Sequence, residues 1–168
     1  MSDANVGALL TGHAPTQAIA RHTGQRNTHS VEFPVLAVLD PRDRGQLLAD
    51  LRRREFARNE VLVHEGDPAD SMHLIAKGRV LVTLMNAGGE RVDVAILGPG
   101  KCFGELSMLS HPERRTATIT AIEPTETLVL RRDQLDRLRR RYPAIGRRCR
   151  LLRQQQLAFP GVPGTTTR

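Results

Sequence analysis

The chain has 168 residues, 39% of them apolar and 3% aromatic, with 25 Lys and Arg against 18 Asp and Glu, the size of one modest domain. No apolar run approaches the roughly 18 uninterrupted residues that a bilayer crossing needs, and residues 1–23 lack the basic stretch and apolar core of a secretory signal. Cys102 and Cys149 are the only cysteines, too few for a four-thiolate metal site or for the disulfide scaffold of a secreted domain, which implies a reducing, cytoplasmic compartment.

Residues 1–32 are rich in Ala, Thr, His, Gly and Asn with little periodic apolarity, and read as a mobile tail. Folding is expected to begin near Phe33. Asp40-Pro41-Arg42-Asp43 supplies an N-cap acceptor, a proline suited to the first helical position and an acid in the first turn. Leu47, Leu48 and Leu51 follow at helical spacing, so a short amphipathic helix is predicted to about Arg54.

From Glu60 the period changes to that of short strands: Val61 and Val63, then Met72, Leu74 and Ala76, then Val80, Val82 and Leu84. Gly66-Asp67-Pro68 and Lys77-Gly78 punctuate them, and Asn86-Ala87-Gly88-Gly89 joins the alternating runs 79–85 and 90–97 as a hairpin. Gly98-Pro99-Gly100 breaks the ladder. Two further strands are predicted over 117–122 and 125–130, beyond an interruption at 103–116. Many short strands with glycine turns indicate a barrel or jelly roll.

After Leu130 the spacing of Leu135, Leu138 and Tyr142 is helical again. Pro143 separates a first terminal helix from a second that carries Ile145, Cys149, Leu152 and Gln156 on one side. Residues 159–168, with Pro160, Gly161, Pro163 and Gly164, read as a flexible end. The span from Arg131 to Arg153 holds ten arginines and two aspartates, a local +8, so the remaining 15 cations and 16 anions balance to −1. The basicity of the chain belongs to this one helical segment, as a solvated face or as a contact for phosphate or an anionic membrane.

The interruption at 103–116 is long and chemically specific. Gly104 permits close backbone approach, and 105–109 can form one helical turn whose unpaired N–H groups converge on an anion. Arg115 follows ten residues after Glu105, at the start of a strand that would return it to the same mouth of the barrel, and a guanidinium beside an amide nest suits a phosphate. A carboxylate at 105 would repel a bare phosphate, but an ionised carboxylate is acceptor-only and pairs with a sugar 2′-OH. Phosphate with ribose means a nucleotide; the alternative is an ordinary Glu105–Arg115 ion pair across a turn.

Phe103-Gly104-Glu105-Leu106-Ser107, followed by Arg114-Arg115-Thr116-Ala117-Thr118, resembles the phosphate-binding cassette of cyclic nucleotide-binding domains, the sensor family shared by CRP/FNR-type regulators. The resemblance extends over about 33–157, through Glu65-Gly66-Asp67, Gly78, Leu97-Gly98-Pro99-Gly100 and Tyr142-Pro143. It implies a cyclic nucleotide-binding domain over residues 33–158: a double-stranded β-helix, or jelly roll, that is mainly β, with one N-terminal and two C-terminal helices. It further implies cAMP or cGMP as ligand, Glu105 accepting from the 2′-OH, Arg115 holding the cyclic phosphate and the amides of 104–107 completing the cradle. Phe103 and Ala117 flank that cradle, Thr116 meets phosphate or base, and Arg153, Gln156 and Leu157 are the candidate purine lid.

The resemblance also has a limit. CRP/FNR-type regulators continue into a helix-turn-helix module, and this chain stops before one, so the expectation is a stand-alone sensor, or a piece of a longer regulator, without sequence-specific DNA reading. Its signal would pass through the C-terminal helices to a second copy or to another protein. A jelly roll can instead be a cupin-type metal enzyme, but His64, His73 and His111 form no His-X-His pair and have no carboxylate at ligand spacing. No nucleophile, base and acid set is visible. The expected function is therefore binding, without catalysis, metal or cofactor, and a ligand that shifts the terminal helices by favouring a closed state.

Overall fold

Asp40 starts the first helix as its side chain predicts. In the computed structural model, which describes residues 31–105, 108 and 114–157, Asp40 Oδ1 accepts from the Asp43 N–H at 2.9 Å and Pro41 takes the first helical position of α1 (Pro41–Asp50). A single 3-10 turn, Pro34–Leu36, precedes it and buries Val35 and Leu36. Of the expected tail 1–32, residues 1–30 lie outside the described residues, as do residue 158 and the expected end 159–168.

The predicted extension of this helix to Arg54 is corrected. Leu51 is extended, with ψ 135°, and Arg52–Phe56 is strand β1. The local preference of three consecutive arginines yields to pairing: β1 runs antiparallel to β8 (Thr125–Arg131), with Arg52 opposite Val129 and Phe56 opposite Thr125. Phe56 is buried and Arg53 reaches Glu126 at 2.5 Å.

The other strands follow the predicted spacing: β2 (Val61–Val63), β3 (Ser71–Lys77), β4 (Val80–Met85), β5 (Arg91–Leu97) and β7 (Thr118–Ala121). Asn86 Oδ1 closes the β4–β5 hairpin by accepting from the Gly88 and Glu90 N–H groups at 2.9 Å each. A short strand within and just before the expected interruption, β6 (Cys102–Phe103), pairs with β3, with Phe103 opposite His73. Two residues carry no period to read, so only the partner strand reveals it. The eight strands among the described residues form two antiparallel sheets, β1-β8-β3-β6 and β2-β7-β4-β5. The chain is a jelly roll, mainly β, with flanking helices.

Helices α2 (Arg132–Arg141) and α3 (Ala144–Leu157) close the chain. Alternation along β3 explains why six of its residues are buried. Met72, Leu74 and Ala76 face a core shared with Phe33, Leu36, Leu51, Leu135, Ile145 and Cys149 of the helical segments. Ile75 faces a second core inside the barrel with Phe56, Val82, Leu97, Phe103 and Ile119. One sheet therefore has helices on its back and the barrel interior on its front. No helix among the described residues is long and apolar enough to cross a membrane.

Candidate functional site

The turn after β2 places Arg115. Gly66, at φ +86°, takes the left-handed conformation that glycine adopts without steric cost. Its N–H donates to the Arg115 carbonyl at 2.9 Å, and the Arg115 N–H donates to the Asp67 carbonyl at 2.8 Å. Arg114 Nη1 donates to the Gly66 carbonyl at 2.8 Å. Glu65 fixes the turn from the other side, accepting at 2.9 Å from the Met85 N–H while its own N–H donates to Thr118 Oγ1 at 3.1 Å. The Glu65-Gly66-Asp67 segment is thus the clamp that brings residue 115 to the barrel mouth.

The guanidinium of Arg115 is buried, with its side chain 5% exposed. Nη1 donates to the Ser71 carbonyl at 2.5 Å and Nη2 to Ser71 Oγ at 3.1 Å, while Asp70 lies 3.7 Å away as its ion-pair partner among the described residues. These hydrogen bonds take two of the five N–H donors that an arginine carries. Burial lowers the pKa of Arg115, and Asp70 and Asp67 oppose that shift. Gly104, at φ +85°, passes directly under the guanidinium: a Cβ there would strike Arg115 Nη1 and stand 2.9 Å from the Ser71 carbonyl oxygen. The close approach expected of Gly104 is therefore an approach to the protein's own arginine.

Glu105 follows and is 6% exposed. Burial pushes its carboxyl above the ordinary range, while its own backbone N–H and the Arg153 charge pull it back. Arg115 is engaged with Ser71 and Asp70, so the ordinary Glu105–Arg115 ion pair is not the arrangement among the described residues. Cys102 is buried at the same wall, its thiol driven up by burial and further by Glu105. The Cys149 thiol is pushed up to about 12 by burial. Both thiols are held protonated, the state in which cysteine acts as a small apolar side chain.

Phe103, Gly104, Glu105, Arg115, Thr116, Ala117 and Arg153 all line one cavity. Leu106 and Ser107 lie outside the described residues, as do the side chains of Gln156 and Leu157. The cavity's far wall, Val63, Val82, Val94, Leu97 and Ile119, was not anticipated as part of a site, although the strand alternation that points these residues inward is visible in the sequence. Ser71 was missed as well, since its role comes from a contact 44 positions away. The result is a pocket with an apolar wall on one sheet and, at its other end, a buried cation and a buried carboxyl that do not neutralise each other. Such a pocket suits a ligand with a flat apolar part, a hydroxyl donor and an anionic group.

Of the histidines weighed as metal ligands, His73 is buried and neutral. Its Nδ1 lies 3.1 Å from Thr127 Oγ1 and its ring stacks on Phe103 at 4.8 Å. Burial lowers its pKa to about 3. His111 is outside the described residues. Among the described residues no group of three or more His, Cys, Asp and Glu is placed to hold a metal ion.

The family model for the cyclic nucleotide-binding domain matches residues 53–142, more than half of the chain. The cyclic AMP receptor protein of Thermus thermophilus is 34% identical over 112 residues, 67% of this chain and 51% of that protein. The cAMP-dependent protein kinase regulatory subunit of Dictyostelium discoideum is 34% identical over 107 residues, 62% of this chain and 32% of that protein. The crystal structure of the Thermus thermophilus catabolite activator protein superposes with a TM-score of 0.65 at 31% identity, covering 74% of this chain and 58% of that one. The chain thus spans about half the length of the Thermus protein and about a third of the Dictyostelium one. The matched span contains the turn, the buried acid and the buried arginine, and the chain belongs to the cyclic nucleotide-binding domain family.

Proposed function

We propose that the cavity binds a 3′,5′-cyclic nucleotide, cAMP in preference to cGMP, and that the domain, residues 33–158, is a regulatory sensor without catalytic activity of its own. The observation that carries this reading is the buried, mutually unpaired couple of Glu105 and Arg115 on one apolar-walled cavity. Burying both groups is costly, and a ribose hydroxyl donating to Glu105 with a cyclic phosphate accepting from Arg115 and the amides of 104–107 would offset that cost. Thr116 contributes a hydroxyl toward phosphate or base. The preference for cAMP rests on the printed names of the Thermus and Dictyostelium relatives. A cation and an acceptor carboxylate hold a phosphodiester but supply neither a positioned nucleophile nor a metal-bound water to cleave it.

In this reading occupancy favours one position of the terminal helices, with Arg153, Gln156 and Leu157 closing over the purine, and the change reaches a second copy or another protein in the cytoplasm through those helices. Three arginines of α2, Arg137, Arg139 and Arg141, pair with Asp133, Asp136 and Asp43, and the reading assigns no sequence-specific DNA contact to the arginines of α2 and α3.

Calorimetric titration with cAMP, cGMP and 5′-AMP tests the assignment. Tight binding of a cyclic nucleotide is expected, with loss of about 1.5–3 kcal/mol or more in Arg115→Ala, which removes a charge-assisted donor pair. Equal binding of 5′-AMP and cAMP, or an Arg115→Ala protein that binds like wild type, overturns it.

A further inference from the structure

Three of the four exposed large apolar side chains among the described residues come from one sheet, β2-β7-β4-β5: Val61 at 37% exposure, Met85 at 49% and Ile96 at 46%. Neither they nor the half-buried Leu81 belong to either core. Register brings three of these four together. Val61 lies opposite Thr120, Thr120 opposite Leu81, and Leu81 opposite Ile96, so one residue from each of the four strands falls in a single row. Their strand neighbours Leu62, Ile119, Val82 and Ala95 sit in the barrel core, and alternation therefore turns the row outward. The helical core packs on the other sheet, against Met72, Leu74 and Ala76.

The start of the described chain lies beside this row. The Glu32 carbonyl oxygen stands against Gly100, where a Cβ would come within 2.7 Å of it. Gly100 follows the end of the edge strand β5 by three residues and is four residues from Ile96, at most about 14 Å of backbone. Thirty residues precede Val31, and their largest apolar group is Val6-Gly7-Ala8-Leu9-Leu10. The 20 residues from Thr11 to Ser30 span about 25 Å as a flexible coil, while the row crosses four strands in about 14 Å. A row of this size falls well short of the roughly 20–30 residues a side used by a standard interface between separate chains. A tethered segment needs far less, because its effective concentration is on the order of millimolar.

We propose that residues 6–10 of this chain dock on the outer face of the second sheet, along the row Val61, Thr120, Leu81 and Ile96. The docked segment backs the cavity, since Ala95 and Leu97 on the opposite face of β5 line it. The proposal does not depend on which ligand the cavity takes.

A cysteine at position 96 tests it. Cys102 and Cys149 are buried, so Ile96→Cys supplies the reactive thiol, and mass spectrometry confirms the site of modification. Its rate with N-ethylmaleimide is measured in the full chain, with and without Leu9→Gln and Leu10→Gln. Docking predicts that the two glutamines speed modification at least about threefold, equally at low and high protein concentration. An Ala49→Cys reporter on α1, at an exposed position, should react at the same rate in both backgrounds. Equal rates at 96 with and without the glutamines overturn the proposal, as does an increase of the same size at 49. Protection at 96 that deepens with protein concentration assigns the row to a second copy and also overturns it.

Discussion

Glu105 sets the energetics of the empty pocket. Its carboxyl titrates above the ordinary value because burial penalises the charge, so the folded chain binds this proton more readily than the unfolded chain. Its contribution to stability is therefore greatest below the unfolded value of 4.5 and is lost as pH rises through the folded value, which leaves the group a liability at neutral pH. Glu105→Gln removes the buried charge. The expected outcome is a ligand-free protein more resistant to urea at pH 7 than wild type, and a cyclic-nucleotide affinity about 1.5–3 kcal/mol weaker through loss of the charged acceptor. A variant less stable than wild type and equally tight in binding would mean that the acid is structural.

His73 moves stability in the opposite sense. Its pKa is lowered to about 3, against an unfolded value near 6.5, so its contribution is complete above 6.5 and is lost as pH falls toward 3. By pH 5 the unfolded chain has taken up a proton that the fold still refuses, a loss of about 2 kcal/mol. Urea unfolding at pH 7 and pH 5 measures it. In His73→Gln this part of the pH slope should vanish; a slope that persists places its source elsewhere.

At the scale of elements, the site depends on two crossings of backbone, the turn at 64–67 with Arg115 and the passage of Gly104 beneath the guanidinium. Gly104→Ala strains a positive φ by about 1–2 kcal/mol and sets a methyl against Arg115 Nη1 and the Ser71 carbonyl. The Ser71 carbonyl belongs to β3 and cannot give way without disturbing its pairing with β8, so the arginine must move. Thermal unfolding and cyclic-nucleotide titration should both report the change, with affinity falling at least about tenfold. Retained affinity would show that Arg115 can leave Ser71 without cost to the ligand.

What could be read beforehand divides along the same line. Glu105 and Arg115 stand out in the sequence because their chemistry conflicts with a plain turn, and Asp40 because capping is local. Helical spacing points past the true end of α1 to Arg54 because nothing near Arg52, Arg53 and Arg54 speaks for a strand; what makes them one is Val129, Leu128 and Thr127 on β8. Ser71 and the joining of Val82 and Ile119 into one cavity wall are not legible for the same reason: alternation shows which way each strand residue points, but register between distant strands decides which of them meet.

On the scale of the molecule, β3 separates two cores that answer to different signals. The barrel core holds the cavity wall, and the helical core holds Ile145 and Cys149 of α3. Cys102 and Phe103 are adjacent in β6 yet belong to different cores, so movement of the segment at 102–105 is felt on both sides of the sheet. A ligand at 100 times its Kd should stabilise the fold by about 2.7 kcal/mol, and its effect on hydrogen exchange locates where that energy goes. If occupancy shifts the terminal helices, amides of α3 should exchange more slowly with saturating cAMP than without it, by a factor larger than that of α1, which has no buried residue and does not border the cavity. Arg115→Ala should abolish the protection together with the gain in thermal stability. Protection confined to strands β4 and β5, with α3 exchanging at its unligated rate, would mean that the nucleotide stiffens the barrel and that the helices carry no signal from it.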